Sequence, residues 1–398
     1  MAYYQSRPIA GRHFLQIPGP SNVPDRVLRA IDNATMDHRG GDFGKMGAEI
    51  LTNLPTIFRT GNPVVIFPAS GTGAWEAALT NTLSPGDAVL MTRTGQFAVL
   101  WEDMARRLGL EPIMIDTDWR HGGDPAAIGD ELARDKARRI KAVCVVHCET
   151  STGCITRIDE VRAAMDAAKH PALLVVDAIS SLAAMDYRHD DWRVDVTISG
   201  SQKAMMLPPG LSFNAISDKA LEAGKTAKLP HAYFDWDAML EINKTGYFPY
   251  TPAISLLYGL NEAIKMLLEE GLENVFARHD RFGEACRRAM AAWGLENNCL
   301  DPRQYSSSVT TVRTPEGHSA NNLRAVIADK FNMSLGTGLG KITDKAFRIG
   351  HLGDLNDLTL VGTLGGVEMG LAVAGVPHRP GGVQAALEFL AGNARAVG

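Results

Sequence analysis

Apolar residues in the first half of the chain come in short, nearly continuous runs, at 64–67, 88–91, 112–115, 142–147, 173–177, 194–199 and 211–216. Continuous runs, rather than strict alternation, are what strands covered on both faces require. Between them lie stretches with the recurrence of amphipathic helices, for example 97–108 and 158–168. Strands alternating with helices predict an α/β fold, a mainly parallel sheet with helices on both faces. Ligands bind such sheets beyond the carboxyl ends of the strands. Ser70, Gly95, Thr150 and Asp177 all fall just after a strand-like run. A longer helical pattern at 254–270 stops at Gly271 and leads to a smaller α+β C-terminal domain. There 308–313 and 347–350 read as strands, and 320–330 and 358–374 as helices. The expected division is an N-terminal arm over 1–19, a large domain over 20–270 and a small domain over 271–398.

Two of the strand ends carry chemistry. The run at 173–177 ends on Asp177, and 26 residues later Ser199-Gly200-Ser201-Gln202-Lys203 presents a lysine in a polar turn after 195–198. A strand-terminal carboxylate and a loop lysine are what a pyridoxal phosphate site needs. The lysine bonds to the cofactor aldehyde, and the aspartate keeps the pyridine nitrogen protonated so that the ring accepts electrons. Taken alone, the pair fits equally a structural carboxylate and a solvated lysine. Pro68-Ala69-Ser70-Gly71-Thr72-Gly73-Ala74-Trp75-Glu76 shifts the balance, because it follows the run at 64–67 and opens a helix. Glycines let backbone approach a phosphate, helix-start N–H groups and the dipole favour an anion, and Ser70 and Thr72 add hydroxyls. The turn is no dinucleotide fingerprint, since Glu76 stands where the third glycine belongs.

With these segments go Ile17-Pro18-Gly19-Pro20-Ser21-Asn22-Val23-Pro24, Asp37-His38-Arg39-Gly40, Tyr247-Phe248-Pro249-Tyr250-Thr251-Pro252, Met333-Ser334-Leu335-Gly336 and Phe347-Arg348-Ile349-Gly350-His351-Leu352-Gly353. Over nearly its whole length the chain resembles the class V aminotransferases of pyridoxal phosphate fold type I. It is most similar to the serine–glyoxylate and alanine–glyoxylate aminotransferase group. The resemblance implies catalytic roles for Lys203 and Asp177, and a phosphate site of Ser70, Gly71, Thr72 and Gln202. It implies Phe97 stacked on the pyridine, Ile179 beneath it, and Thr150 near the phenolic oxygen. Tyr247 and Thr251 match positions that reach the phosphate from a second subunit, which implies a homodimer or larger assembly. Arg348 matches the residue that grips the substrate carboxylate, with Gly19 also at the substrate. Plainer roles exist for each: core aromatic for Phe97, helix cap for Thr150, Pro-rich turn for Tyr247 and Thr251, ion pair for Arg348.

The activity implied is transfer of an amino group from a small L-amino acid, serine favoured, to glyoxylate, giving glycine and a 2-oxo acid. Aspartate and alanine are the alternative donors. Aspartate would need a second cation, with Arg39, Lys45 and Arg93 as candidates. A lyase or desulfurase on the same fold is the alternative of another class. A desulfurase needs a cysteine in a mobile Gly/Ser-rich loop, and Cys144, Cys148, Cys154, Cys286 and Cys299 do not sit in one. A cofactor-binding protein without catalysis is the third alternative, and Lys203, Asp177 and Arg348 together speak against it.

Composition narrows the rest. With 45% hydrophobic and 21% charged residues and a net charge of −5, the chain reads as soluble and globular, with no electrostatic case for nucleic acid or a membrane surface. No apolar stretch has the length of a membrane span. The cysteines form no C-x-x-C pair and no zinc spacing, so free thiols in a reducing compartment and no metal are expected. Residues 1–14 lack the apolar segment of a secretion signal, and the C-terminus is not a peroxisomal tripeptide. A cytoplasmic location is expected.

Overall fold

The computed structural model describes residues 10–394. Strand β1 (Phe14–Gln16) is followed by the strands of the main sheet, β2 (Val64–Phe67), β3 (Ala88–Arg93), β4 (Glu111–Asp116), β5 (Ile140–Val146), β6 (Leu173–Asp177), β7 (Val196–Gly200) and β8 (Ser212–Ile216). Their spatial order is β2-β8-β7-β6-β5-β3-β4. All run the same way except β8, which is antiparallel to both β2 and β7. The mainly parallel sheet follows from the strand–helix alternation of the sequence. The reversal of β8 follows from its link to β7, which is too short for a crossover helix.

Alternate residues of one strand feed opposite faces. Val64 and Ile66 pack into one core, and Val65 and Phe67 into another. Strands buried on both sides therefore show no polar alternation, which is why they read as continuous apolar runs.

A second sheet contains β9 (Glu296–Asn297), β10 (Val309–Arg313), β11 (Met333–Thr337) and β12 (Ala346–Gly350), in the order β1-β11-β12-β10-β9. It encloses a third core, with Phe347, Ile349 and Leu364 among its members. Two features cut across the division expected from the sequence. β1, within the segment read as an arm, pairs parallel to β11 of this second sheet, Phe14 opposite Met333; residues 1–9 of that arm lie outside the described residues. Beyond Gly271, whose φ is +80°, the helix Leu272–Trp293 starts in the main core with Leu272, Val275 and Phe276. It ends in the third core with Phe282, Met290 and Trp293. One continuous helix thus contributes to both cores. Among the described residues no helix is long and apolar enough to cross a membrane.

Candidate active site

The carboxyl ends of five strands of the main sheet converge on one cavity of about 230 Å³. β2 runs through Ser70 into α1 (Gly71–Thr82), and β3 runs through Gly95 into α2 (Gln96–Arg107), which carries Phe97. β5 leads to Cys148 and Thr150, and β6 ends on Asp177. The turn after β7 adds Gln202 and Lys203. Gly19, Ser70, Gly71, Thr72, Phe97, Thr150, Asp177, Ile179, Gln202 and Lys203, all expected at the site, line this cavity. Trp75, Cys148, Val146 and Pro20 line it as well.

Asp177 is buried and held by two donors. The Ile179 N–H reaches Oδ1 at 2.8 Å, and the Trp75 indole N–H reaches Oδ2 at 2.8 Å. Burial outweighs both and raises its pKa to about 7. Such a carboxylate has a strong need for a cationic partner. Lys203 is buried too, and its Nζ donates to the Pro18 carbonyl. Burial first, and then the positive field of Arg348, lower the amine to about 8. Lys203 is held from outside the turn, because Ser21 Oγ donates to its carbonyl at 2.7 Å and the Ser21 N–H donates to the Gln202 carbonyl at 3.0 Å. Gly19 lies against the lysine stem. A Cβ there would come within 2.4 Å of Lys203 Cδ, and its φ of +109° is one that glycine tolerates.

The phosphate-type end of the cavity is the start of α1. The Ser70 side chain does not cap the helix, and Gly71 and Thr72, whose N–H groups open it, line the cavity with the dipole behind them. A Cβ on Gly71 would lie 2.2 Å from Ile179 Cδ1, so glycine is what lets the backbone and the apolar floor meet. Gln202 Oε1 is buried without a hydrogen-bond partner among the described residues. Gln202 lines the cavity beside the open helix start and can donate to an anion only through its Nε2–H, since Oε1 accepts. With a buried carboxylate and an amine across the cavity, this donor set fits pyridoxal phosphate, whose pyridinium would be the cation that Asp177 needs.

Arg348, on β12, is 7% exposed and does not line the cavity, but it reaches the adjoining wall. Its Nε donates to the Thr337 carbonyl at 2.8 Å and its Nη1 to the Thr150 carbonyl at 2.9 Å. Those acceptors are neutral, so the alternative role of a structural ion pair finds no support in its hydrogen bonds. Burial lowers its pKa to about 10. The Thr150 hydroxyl pairs with Ser180 Oγ.

Tyr247 and Thr251 stand apart from the cavity of their own chain. The Tyr247 hydroxyl donates to the Gly40 carbonyl at 3.2 Å, and Thr251 is exposed. None of the candidate second cations lines the cavity. Arg93 is bound to Glu102 and Asp116, Lys45 is exposed beside Asp42, and Arg39 is exposed. All five cysteines are buried and free. The Cys148 thiol is held by Ser306 Oγ at 3.1 Å and its pKa is raised by burial, which disqualifies it as a mobile nucleophile.

A family model described as Aminotransferase class-V matches residues 13–347. A serine–glyoxylate aminotransferase of Methylorubrum extorquens is 48% identical over 390 residues, covering 96% of this chain and 97% of that protein. An L-aspartate–glyoxylate aminotransferase of Paracoccus denitrificans is 45% identical over 378 residues, covering 94% of each. Among solved structures, a ureidoglycine–glyoxylate aminotransferase from Bacillus subtilis superposes with a TM-score of 0.89 at 26% identity, covering 96% of this chain and 99% of that one.

Proposed function

The chain belongs to the class-V aminotransferases, pyridoxal phosphate-dependent enzymes acting on amino acids and 2-oxo acids, and we propose that it moves the amino group of L-serine to glyoxylate. The products are glycine and hydroxypyruvate. Bound at the strand ends, the cofactor supplies an aldehyde for the incoming amino group and a ring that accepts the electrons left when Cα loses its proton. In this reading Lys203 anchors the aldehyde. Once displaced by substrate, its amine carries the proton away from Cα, a task suited to a pKa lowered to about 8. Asp177 holds the proton on the pyridine nitrogen. Phe97 and Ile179 would pack against the ring, Thr150 would serve its phenolic oxygen, and Ser70, Gly71, Thr72 and Gln202 would bind the phosphate.

Arg348 grips the α-carboxylate common to donor and acceptor, with Gly19 leaving room beside it. Tyr247 and Thr251 serve the partner subunit's phosphate, so the working form is a homodimer or larger, and sedimentation at micromolar concentration tests this. The division of the chain into a large and a small unit allows Arg348 to approach from the small one. Five free buried thiols suit a reducing compartment, and we place the enzyme in the cytoplasm.

The observation that carries serine as donor is that, among the described residues, Lys203 is the one cation in the cavity lining. The distal carboxylate of aspartate would be left unpaired there, whereas a hydroxymethyl group needs no charge. Aspartate is the second reading, favoured by one contact. Arg39 adjoins Gly40, whose carbonyl holds the Tyr247 hydroxyl, so if Tyr247 serves the partner's site, Arg39 accompanies it. A panel of donors at fixed glyoxylate decides the matter. Serine should show the highest kcat/KM, and a higher value for aspartate or alanine refutes the assignment.

A further inference from the structure

Glu149 is fully buried, 0% exposed, between the turns that carry Phe97 and Thr150. Its carboxylate is surrounded by donors. Oε1 takes the Ser151 N–H at 3.0 Å, the Ser151 hydroxyl at 2.6 Å and the Phe97 N–H at 3.4 Å, while Oε2 takes the Ala98 N–H at 3.1 Å. Ser151 Oγ in turn accepts the Gln96 N–H at 2.9 Å. Backbone N–H groups can only donate, and the positive end of α2 adds to them, so the geometry suits an ionised carboxylate. Burial pulls the other way and raises its pKa. The chain makes room for the group at one point, because a Cβ on Gly95 would stand 2.4 Å from Glu149 Cγ.

We propose that Glu149 is a positioning residue of the cofactor site, an ionised carboxylate that ties the Phe97 turn to the Thr150 turn and adds negative charge to the wall of the site. The inference rests on reading the cavity as the cofactor site. Its mechanical part follows from connectivity. Phe97 sits in the first turn of α2 and Thr150 in the turn between the paired segments Cys148–Glu149 and Cys154–Ile155, and Glu149 with Ser151 supplies most of the hydrogen bonds that join the two. Its electrostatic part follows from placement: Glu149 stands between Cys148 and Thr150, which line the cavity with Lys203, and Arg348 donates to the Thr150 carbonyl. The charged and titratable groups acting on Lys203 are Arg348, which lowers its pKa, and Cys148, Asp177 and Glu149, which raise it. Glu149 also raises the pKa of Arg348 and of Asp177. Removing its charge therefore disfavours the protonated form of the Lys203 nitrogen.

The test uses holoenzyme and reads two quantities, the dissociation constant of pyridoxal phosphate and the pH midpoint of the visible absorbance that reports the proton on the Lys203 nitrogen. Glu149→Gln keeps the shape and loses the charge. The midpoint should fall by about one pH unit, and cofactor affinity should drop about tenfold, the worth of a hydrogen bond to a charged group. Glu149→Asp keeps the charge but draws it back from the Phe97 and Ala98 N–H groups. It should restore the midpoint and not the affinity. A Glu149→Gln midpoint equal to the wild type overturns the proposal, as does an equal fall in both variants. Should Glu149→Gln fail to fold, Glu149→Asp alone decides. Wild-type affinity in it refutes the positioning role, and a midpoint lowered by a full unit refutes the charge. Lys203→Ala separates the two premises, since survival of the absorbance band in that variant would refute the site reading itself.

Discussion

Replacing Trp75 by Phe should shift the pH dependence of cofactor binding upward. The indole N–H at 2.8 Å is one of two donors that favour the ionised form of Asp177 and partly offset burial. A hydrogen bond to a buried charged group is worth about 1.5–3 kcal/mol, so its loss raises the pKa of Asp177 by about 1–2 units. Starting from about 7 in the protein without cofactor, the carboxyl then ionises only well above neutrality. Because the ionised form is the one that pairs with the pyridinium, affinity at pH 7 should fall roughly five- to fiftyfold. The deficit should close to near unity by about pH 9–10, where Asp177 is ionised in both proteins.

Phe keeps most of the stack on Trp101, whose ring lies 5.7 Å away at 15°. The smaller ring still costs packing, about 1–2 kcal/mol of stability. Trp101→Phe is the control for that cost, because the Trp101 indole N–H has no hydrogen-bond partner among the described residues. It should lower the melting temperature without altering the pH dependence. The assay is equilibrium binding of pyridoxal phosphate to apoprotein from pH 7 to 10, with thermal melts of all three proteins. A ratio of dissociation constants that stays constant across that range would refute the reasoning, since Trp75 would then act on packing alone.

Lys203→Ala should abolish the cofactor's visible band and reduce turnover by orders of magnitude, and near-normal transamination by it would remove the central assignment. Arg348→Lys keeps the charge and loses the fork. It should raise KM for donor and acceptor together, with kcat/KM lowered at least about thirtyfold, and a rise for the donor alone would show that glyoxylate is held elsewhere. Acid should unfold the protein early, because His147, His189, His279 and His351 are buried neutral, with pKa values lowered by burial to about 4, 4, 3 and 3. The unfolded chain takes up these protons below about pH 6.5. Stability is therefore complete above that pH and falls toward pH 4 by about 1.4 kcal/mol per unit for each histidine. Urea titrations at pH 7 and pH 5 check this, and equal stability at the two would contradict it.

What the sequence made legible depended on whether a signal was local. The runs at 64–67 and 173–177 coincide with β2 and β6, because a strand packed on both faces must be apolar throughout. Asp177, Lys203 and Ser70 stood out because each follows such a strand directly. β1 was illegible as part of the second sheet. It has three residues, and its pairing with Met333 lies in register rather than in composition. The helix Leu272–Trp293 passed unread as a shared element, since an amphipathic stripe reports that a face is buried and not which core buries it.

The same distinction separates the site residues that were found from those that were not. Trp75 donates to a carboxylate 102 positions away, and Glu149 accepts from an N–H 51 positions away. A tryptophan one turn into a helix, or a glutamate at a strand end, has by itself a dozen ordinary explanations. Glu149 did leave one trace. It is an acid next to Thr150, Ser151 and Thr152, shortly after an apolar strand, with no Lys or Arg between Lys141 and Arg157 to pair with it. A carboxylate that must be buried and has no local cation has to be met by N–H and O–H donors, and in this fold the nearest supply is the open start of the next helix over. The groups that react can therefore be read from strand ends. The groups that tune them sit where two strand ends meet, and they become visible once the order of the strands is known.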